Sequence, residues 1–133
     1  MKILIIDDDK AYQNLVTIYL KEYDTKNSLE IDTAQDLDKA FKQIENNDYD
    51  TVFLDLTLPG STGIETVKKM FDFLEVSHKN IPIIILTGTE DYSIGTEAFN
   101  LGVTDFLVKG NVRSKELKRS LTFATYPNNI PNR

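Results

Sequence analysis

A chain of 133 residues with 41% hydrophobic and 27% charged content has the size and composition of one soluble domain and little room for a second. Its net charge of −6 at pH 7 argues against nucleic acid as a direct ligand, and the lack of cysteine excludes disulfides, thiolate metal sites and cysteine nucleophiles. No stretch approaches the roughly 18 apolar residues needed to span a bilayer, and the apolar run at residues 3–6 is too short for a signal peptide, so no membrane association and a cytoplasmic location are expected.

The first predicted element is the strand Ile3-Leu4-Ile5-Ile6, which runs directly into Asp7-Asp8-Asp9. Tyr12, Leu15, Val16, Tyr19, Leu20 and Tyr23 then recur at helical spacing and predict an amphipathic helix, with Asp9 as its cap or in its first turn. Leu29-Glu30-Ile31-Asp32-Thr33 alternates apolar and polar residues, the pattern of an edge strand. Leu37, Ala40, Phe41 and Ile44 mark a second helix, and Thr51-Val52-Phe53-Leu54 a central strand. Thr62-x-x-Glu65 has capping-box spacing ahead of a third helical stripe, Ile64, Val67, Phe71 and Leu74. Ile83-Ile84-Ile85-Leu86 is another central strand. Ile94, Ala98 and Leu101 mark a fourth helix that Gly102 closes. Phe106-Leu107-Val108 is the last strand, and Leu117, Leu121 and Ala124 the last helix. From Tyr126 onward the composition predicts a flexible tail, so residues 1–125 form the domain and 126–133 the tail.

Strict alternation of strand and helix with short connections predicts an α/β, doubly wound (βα)₅ fold with a parallel sheet, right-handed crossovers and helices on both faces. Ligands of such sheets bind at the carboxyl ends of the strands. Strand 1 ends in Asp7-Asp8, strand 3 in Asp55, strand 4 in Thr87-Gly88 and strand 5 in Lys109. Clustered carboxylates repel one another and call for a cation; an oxygen-only set favours Mg²⁺ over zinc. One carboxylate can then serve as nucleophile towards a phosphoryl group, with the metal and the Lys109 ammonium offsetting charge on the phosphoryl oxygens. Thr87 can hydrogen-bond one of those oxygens.

Four motifs carry a resemblance to a known family: Ile3-Leu4-Ile5-Ile6-Asp7-Asp8, Asp55-Leu56-Thr57-Leu58-Pro59-Gly60 with Gly63 beyond, Leu86-Thr87-Gly88, and Phe106-Leu107-Val108-Lys109. Together they resemble the receiver domain of two-component response regulators, over residues 2–125 or so. The resemblance implies a flavodoxin-like sheet of strand order 2-1-3-4-5. It implies Asp55 as phosphoacceptor, Mg²⁺ held by Asp8, Asp55 and the backbone carbonyl of Thr57, and Asp7 acting through water. Lys109 would pair with the phosphoryl group, Thr87 and Phe106 would form the switch, and Thr57 and Thr89 would influence phosphoryl lifetime. The donor would be a histidine kinase or a histidine phosphotransfer protein. The signal would leave through the face of helix 4, strand 5 and helix 5 to an unknown downstream protein. A homodimer through that face and a monomer both fit the sequence. Catalysis would be limited to the domain's own phosphorylation and dephosphorylation.

One departure stands out. The family usually has proline after this lysine, commonly with a cis bond, whereas Gly110 follows here; a non-proline cis bond costs about 3–4 kcal/mol, so a trans bond is expected. A phosphohydrolase with an aspartyl-phosphate intermediate is the rival enzyme reading, but Thr57 stands where its second Asp would be needed and no insertion could form a cap. A receiver-like interaction module that needs no phosphate is a third reading, opposed by the complete set of Asp7, Asp8, Asp55, Thr87 and Lys109. His78, the only histidine, reads as a surface loop residue. Arg113, Lys115, Lys118 and Arg119 make the last helix and its approach basic, a solvated face or a surface for an acidic partner or for acids on helix 4 of a second copy.

Overall fold

The structure, a computed structural model, describes residues 1–88 and 92–126. Thr89 and residues 127–133 lie outside the described residues. The main sheet has five parallel strands, β1 (Lys2–Ile6), β2 (Glu30–Ala34), β3 (Thr51–Leu54), β4 (Ile83–Thr87) and β5 (Asp105–Val108). Their spatial order is β2-β1-β3-β4-β5, so the chain reverses direction across the sheet between β1 and β3. Five helices connect and flank them: α1 (Lys10–Lys21), α2 (Leu37–Asn46), α3 (Ile64–Val76), α4 (Tyr92–Leu101) and α5 (Ser114–Thr125). This is the (βα)₅ order expected, with the alternating strand β2 at one edge as its pattern indicated.

Uninterrupted apolar strands are explained by burial on both faces, because successive residues of a strand point to opposite sides. Leu4, Ile6, Val52, Leu54, Ile83 and Ile85 join the core under α2, α3 and α4, with Ala40, Ile44, Val67, Met70 and Ala98. Ile3, Ile5, Phe53, Ile84 and Leu86 point the other way, to Val16 and Leu20 of α1 and Leu117 and Leu121 of α5. Full burial of each such side chain contributes about 1.5–3 kcal/mol, which makes the sheet's centre the main source of stability. It fixes the strand ends relative to one another.

The helix ends follow local rules with one correction. Asp9 accepts a hydrogen bond from the Tyr12 N–H and caps α1, and Asp36 does the same for α2 through Lys39 N–H. Gly102, at φ 116°, ends α4 with the paired bonds of a Schellman turn, Gly102 N–H to Phe99 O and Val103 N–H to Ala98 O. The capping box at Thr62-x-x-Glu65 does not form: Gly63 is the cap of α3, without a side-chain bond. Thr62 instead pairs with Thr57 in a two-stranded antiparallel ribbon, Thr57–Leu58 with Ser61–Thr62, which leaves it one residue ahead of the cap position.

The predicted stripe of α1 is also displaced. Its buried residues are Gln13, Val16 and Leu20, while Leu15 and Tyr23 are exposed. Leu101 likewise faces out at the end of α4. The apolar arc was read about one residue off because Gln13, a polar residue, occupies its inner position.

Candidate phosphoacceptor site

All the strand-end polar groups meet at the carboxyl edge of the sheet. Asp7 follows β1, Asp55 follows β3, Thr87 ends β4 and Lys109 follows β5. Register places them together: Ile6 lies beside Leu54, Leu54 beside Ile85, and Thr87 beside Val108. The residues at and immediately after these strand ends therefore emerge side by side.

Asp55 is buried, 5% exposed, with both carboxylate oxygens bonded. Oδ1 accepts from the Thr87 hydroxyl at 3.0 Å and from the Thr57 N–H at 3.2 Å. Oδ2 accepts from Lys109 Nζ at 2.9 Å. The same ammonium reaches Asp7 Oδ2, also at 2.9 Å, so one cation is shared by two carboxylates. Asp7 is 2% exposed, and its other oxygen accepts from the Asp9 N–H at 2.9 Å. Burial pushes the Asp7 carboxyl above its ordinary range, opposed by the hydrogen bonds from Lys109 and Asp9 and reinforced by the nearby charge of Asp55. For Lys109 burial works against the charge, but the bonds to Asp7 and Asp55 outweigh it and raise the ammonium's pKa above its ordinary value. The site thus sets one lysine ammonium against two acids.

Asp8 differs from its neighbours. It is exposed and, among the described residues, its carboxylate has no hydrogen bond or ion pair. Carboxylate oxygens of Asp7, Asp8 and Asp55 lie within 4.8 Å of one another. Three acids converging this closely, with one ammonium between two of them, are consistent with a metal-binding site. Thr57 is exposed beside them, anchored by its N–H to Asp55.

Lys109 opens a 3₁₀ turn over Lys109–Asn111, and no cis peptide occurs among the described residues, as expected with glycine at 110. Phe106 is half-buried and packs against the core on the α4 side. A β-carbon at Gly95 of α4 would lie 3.9 Å from its ring, which sets the helix close against β5. Thr89, named for phosphoryl lifetime, lies outside the described residues. His78 is exposed after α3, at the opposite end of the sheet.

Two residues here were missed from sequence. Gln13 is 2% exposed and its amide donates to the backbone carbonyls of Asp7 and, at 3.3 Å, Ala34, fixing the strand end from which Asp7 and Asp8 emerge. Its signal was a polar residue at i−3 and i−7 from Val16 and Leu20, on the inner arc of α1. Tyr12 was read only as part of the helix stripe, yet its ring lies 4.5 Å from Lys109 Nζ.

Residues 3–122 match the response regulator receiver domain family. The chain belongs to that family. Among curated relatives, the transcriptional regulatory protein SrrA of Staphylococcus aureus is 33% identical over 108 residues, 81% of this chain. The chain spans about two-fifths of the length of that relative, 41%. A two-component response regulator from Clostridium difficile superposes with a TM-score of 0.75 at 30% identity, over 98% of this chain and 99% of the other. The receiver domain of the Francisella response regulator 1452 gives 0.78 at 26% identity, over 96% and 98%. A receiver domain is a phosphorylation-activated module whose own catalysis is limited to its phosphorylation and dephosphorylation. Family membership implies a cognate histidine kinase or phosphotransfer protein. Among the described residues no helix is long and apolar enough to cross a membrane.

Proposed function

We propose that residues 1–125 act as a phosphorylation-driven signalling switch that accepts a phosphoryl group on Asp55 from a histidine kinase or histidine phosphotransfer protein. The observation that carries this reading is the environment of Asp55. It is a buried carboxylate bonded by a lysine, a threonine hydroxyl and a backbone N–H, beside a second acid, Asp8, that has no partner among the described residues. A structural aspartate would be expected to engage one partner set; this one has donors for its own charge and a cation-binding neighbour for an incoming anion.

Asp8, Asp55 and the Thr57 carbonyl would hold Mg²⁺, with Asp7 acting through water. Three clustered carboxylates and no nitrogen or sulfur ligand suit that ion. When bound, the ion offsets negative charge on the phosphoryl oxygens. In the transfer, an Asp55 carboxylate oxygen forms a bond to phosphorus while the donor's nitrogen–phosphorus bond breaks, its electron pair staying on the histidine nitrogen. Lys109 shifts from the Asp55 carboxylate towards the phosphoryl oxygens and lowers the barrier by stabilising their charge. In hydrolysis, water attacks phosphorus and Asp55 leaves as the carboxylate. Thr57 and Thr89 influence phosphoryl lifetime.

The switch follows from Thr87. Its hydroxyl moves from Asp55 Oδ1 to a phosphoryl oxygen, and Phe106 follows inward on the α4 side. The two arrangements of α4, β5 and α5 then differ in their affinity for an unidentified downstream protein, or for a second copy of the domain, and phosphorylation shifts the population between them. A proton–nitrogen NMR spectrum recorded with Mg²⁺ and acetyl phosphate tests this. Resonances should move at Asp55, Thr87 and Lys109 and also along α4, β5 and α5. Changes confined to the immediate neighbours of Asp55 would defeat the output-face assignment, and an unchanged spectrum would defeat the whole reading.

A further inference from the structure

Lys109 has a third partner besides its two carboxylates. Tyr12, in the first turn of α1, places its ring centroid 4.5 Å from Lys109 Nζ, well inside the range of a cation–π contact. The Tyr12 hydroxyl donates to the backbone carbonyl of Lys109 at 3.4 Å. One side chain therefore touches both the head and the backbone of the lysine, from a helix 97 residues away in sequence. On the other side of Lys109 stands Gly110, exposed and with open space around its α-carbon. A glycine there leaves the backbone its widest freedom, so the residue after the lysine does nothing to hold it.

We propose that Tyr12 is a positioning residue that keeps the Lys109 ammonium aimed at Asp55. The inference rests on the reading of Lys109 as countercharge to the phosphoryl group. The chemistry explains why a ring suits the task. Phosphorylation turns the Asp55 carboxylate into an acyl phosphate and moves negative charge outward, so Lys109 must exchange one oxygen partner for another. An aromatic face attracts the ammonium throughout that exchange without being an oxygen it has to leave. Asp7 supplies the fixed anchor, Asp55 the one that changes, and Tyr12 the wall between Lys109 and the surrounding solvent.

The test compares Tyr12→Phe, which keeps the ring, with Tyr12→Leu, which removes it. Lysines are acylated with acetic anhydride in the absence of any phosphoryl donor, and site-specific rates are read by mass spectrometry. Lys79 serves as the internal reference, since its ammonium is bonded to the carbonyls of Ile44 and Asn47 at the far end of the domain. Tyr12→Leu should accelerate labelling of Lys109 about fivefold, the factor expected for loss of a half-buried cation–π contact, with Lys79 unchanged. It should slow phosphorylation of Asp55 by acetyl phosphate by a similar factor, while Tyr12→Phe stays near wild type in both. Unchanged Lys109 labelling in Tyr12→Leu, or a Phe variant as impaired as the Leu variant, would overturn the proposal. Should Lys79 labelling also rise in the Leu variant, showing a loosened fold, Tyr12→Met is subject to the same expectation and the same refutation. A wild-type protein that takes no phosphoryl group would defeat the reading of Asp55; the labelling result would still decide the role of Tyr12.

Discussion

Asp8 and Asp55 bring carboxylate oxygens within 4.8 Å of each other, yet Asp55 is buried and bonded at both oxygens while Asp8 is exposed and, among the described residues, unpartnered. The pair separates stability from metal binding. Asp8→Ala removes no internal bond and is expected to change folding stability by no more than about 0.5 kcal/mol. Its Mg²⁺ affinity should fall by more than about tenfold, because one of few anionic ligands to a hard cation is lost. Calorimetric titration with Mg²⁺ alongside urea unfolding checks both; equal Mg²⁺ affinity in the variant would remove Asp8 from the metal site.

Gly95 lies inside α4, where, among the described residues, a β-carbon would meet only the Phe106 ring, at the ordinary contact distance of 3.9 Å. Glycine within a helix costs close to 1 kcal/mol relative to alanine. Gly95→Ala should therefore raise stability by about 0.5–1 kcal/mol in urea denaturation, with an unchanged denaturant slope. A loss of stability would mean that α4 must approach β5 more closely than a methyl group permits.

Gly102 gives the opposite expectation. Space exists for a β-carbon, 3.7 Å from the Phe71 ring, but the backbone at φ 116° is one that side-chain-bearing residues rarely adopt. Gly102→Ala should cost about 1–2 kcal/mol through strain in the turn that ends α4. A neutral result in the same unfolding experiment would show that the turn can relax.

Asp24 predicts a pH dependence. Its carboxylate accepts from the Leu29 N–H at 3.0 Å, the Ser28 N–H at 2.8 Å and the Ser28 hydroxyl at 3.1 Å, and these bonds, the Leu29 N–H foremost, lower its pKa below the ordinary 3.8. A folded-state value below the unfolded one stabilises the fold at pH above the unfolded value and loses that effect as pH falls through the folded one. The melting-temperature gap between wild type and Asp24→Ala should be full at neutral pH and shrink on acidification below the ordinary aspartate value. A gap that does not depend on pH would place the contribution of Asp24 outside its charge.

The strands were legible because each is a short apolar run with no helical spacing, and burial on both faces is the physical state that such runs require. The site was legible for a related reason: polar residues directly after those runs have nowhere to go but the sheet's carboxyl edge. Less legible was which face of α1 turns inward, since Gln13 sits where the pattern calls for an apolar residue and its amide is satisfied only by carbonyls of β2 and of the residue after β1. The helix start after Thr62 was misread because spacing alone cannot show that Thr62 is held in the ribbon with Thr57. Nor could the sequence show that Lys109 divides itself between Asp7, Asp55 and the Tyr12 ring. Those contacts depend on α1, β1, β3 and β5 meeting in space, and on the trans turn at Gly110.

The central claim is that Asp55 takes the phosphoryl group with the help of Mg²⁺ and Lys109. Intact-mass spectrometry after incubation with Mg²⁺ and acetyl phosphate measures this directly, for wild type, Asp55→Asn and Lys109→Ala. Wild type should gain the mass of one phosphoryl group, lose it on standing, and fail to gain it when the metal is chelated. Asp55→Asn should gain nothing, and Lys109→Ala should react more slowly than wild type by about tenfold or more. An adduct of equal yield in Asp55→Asn, or one formed equally well without divalent metal, would contradict the account.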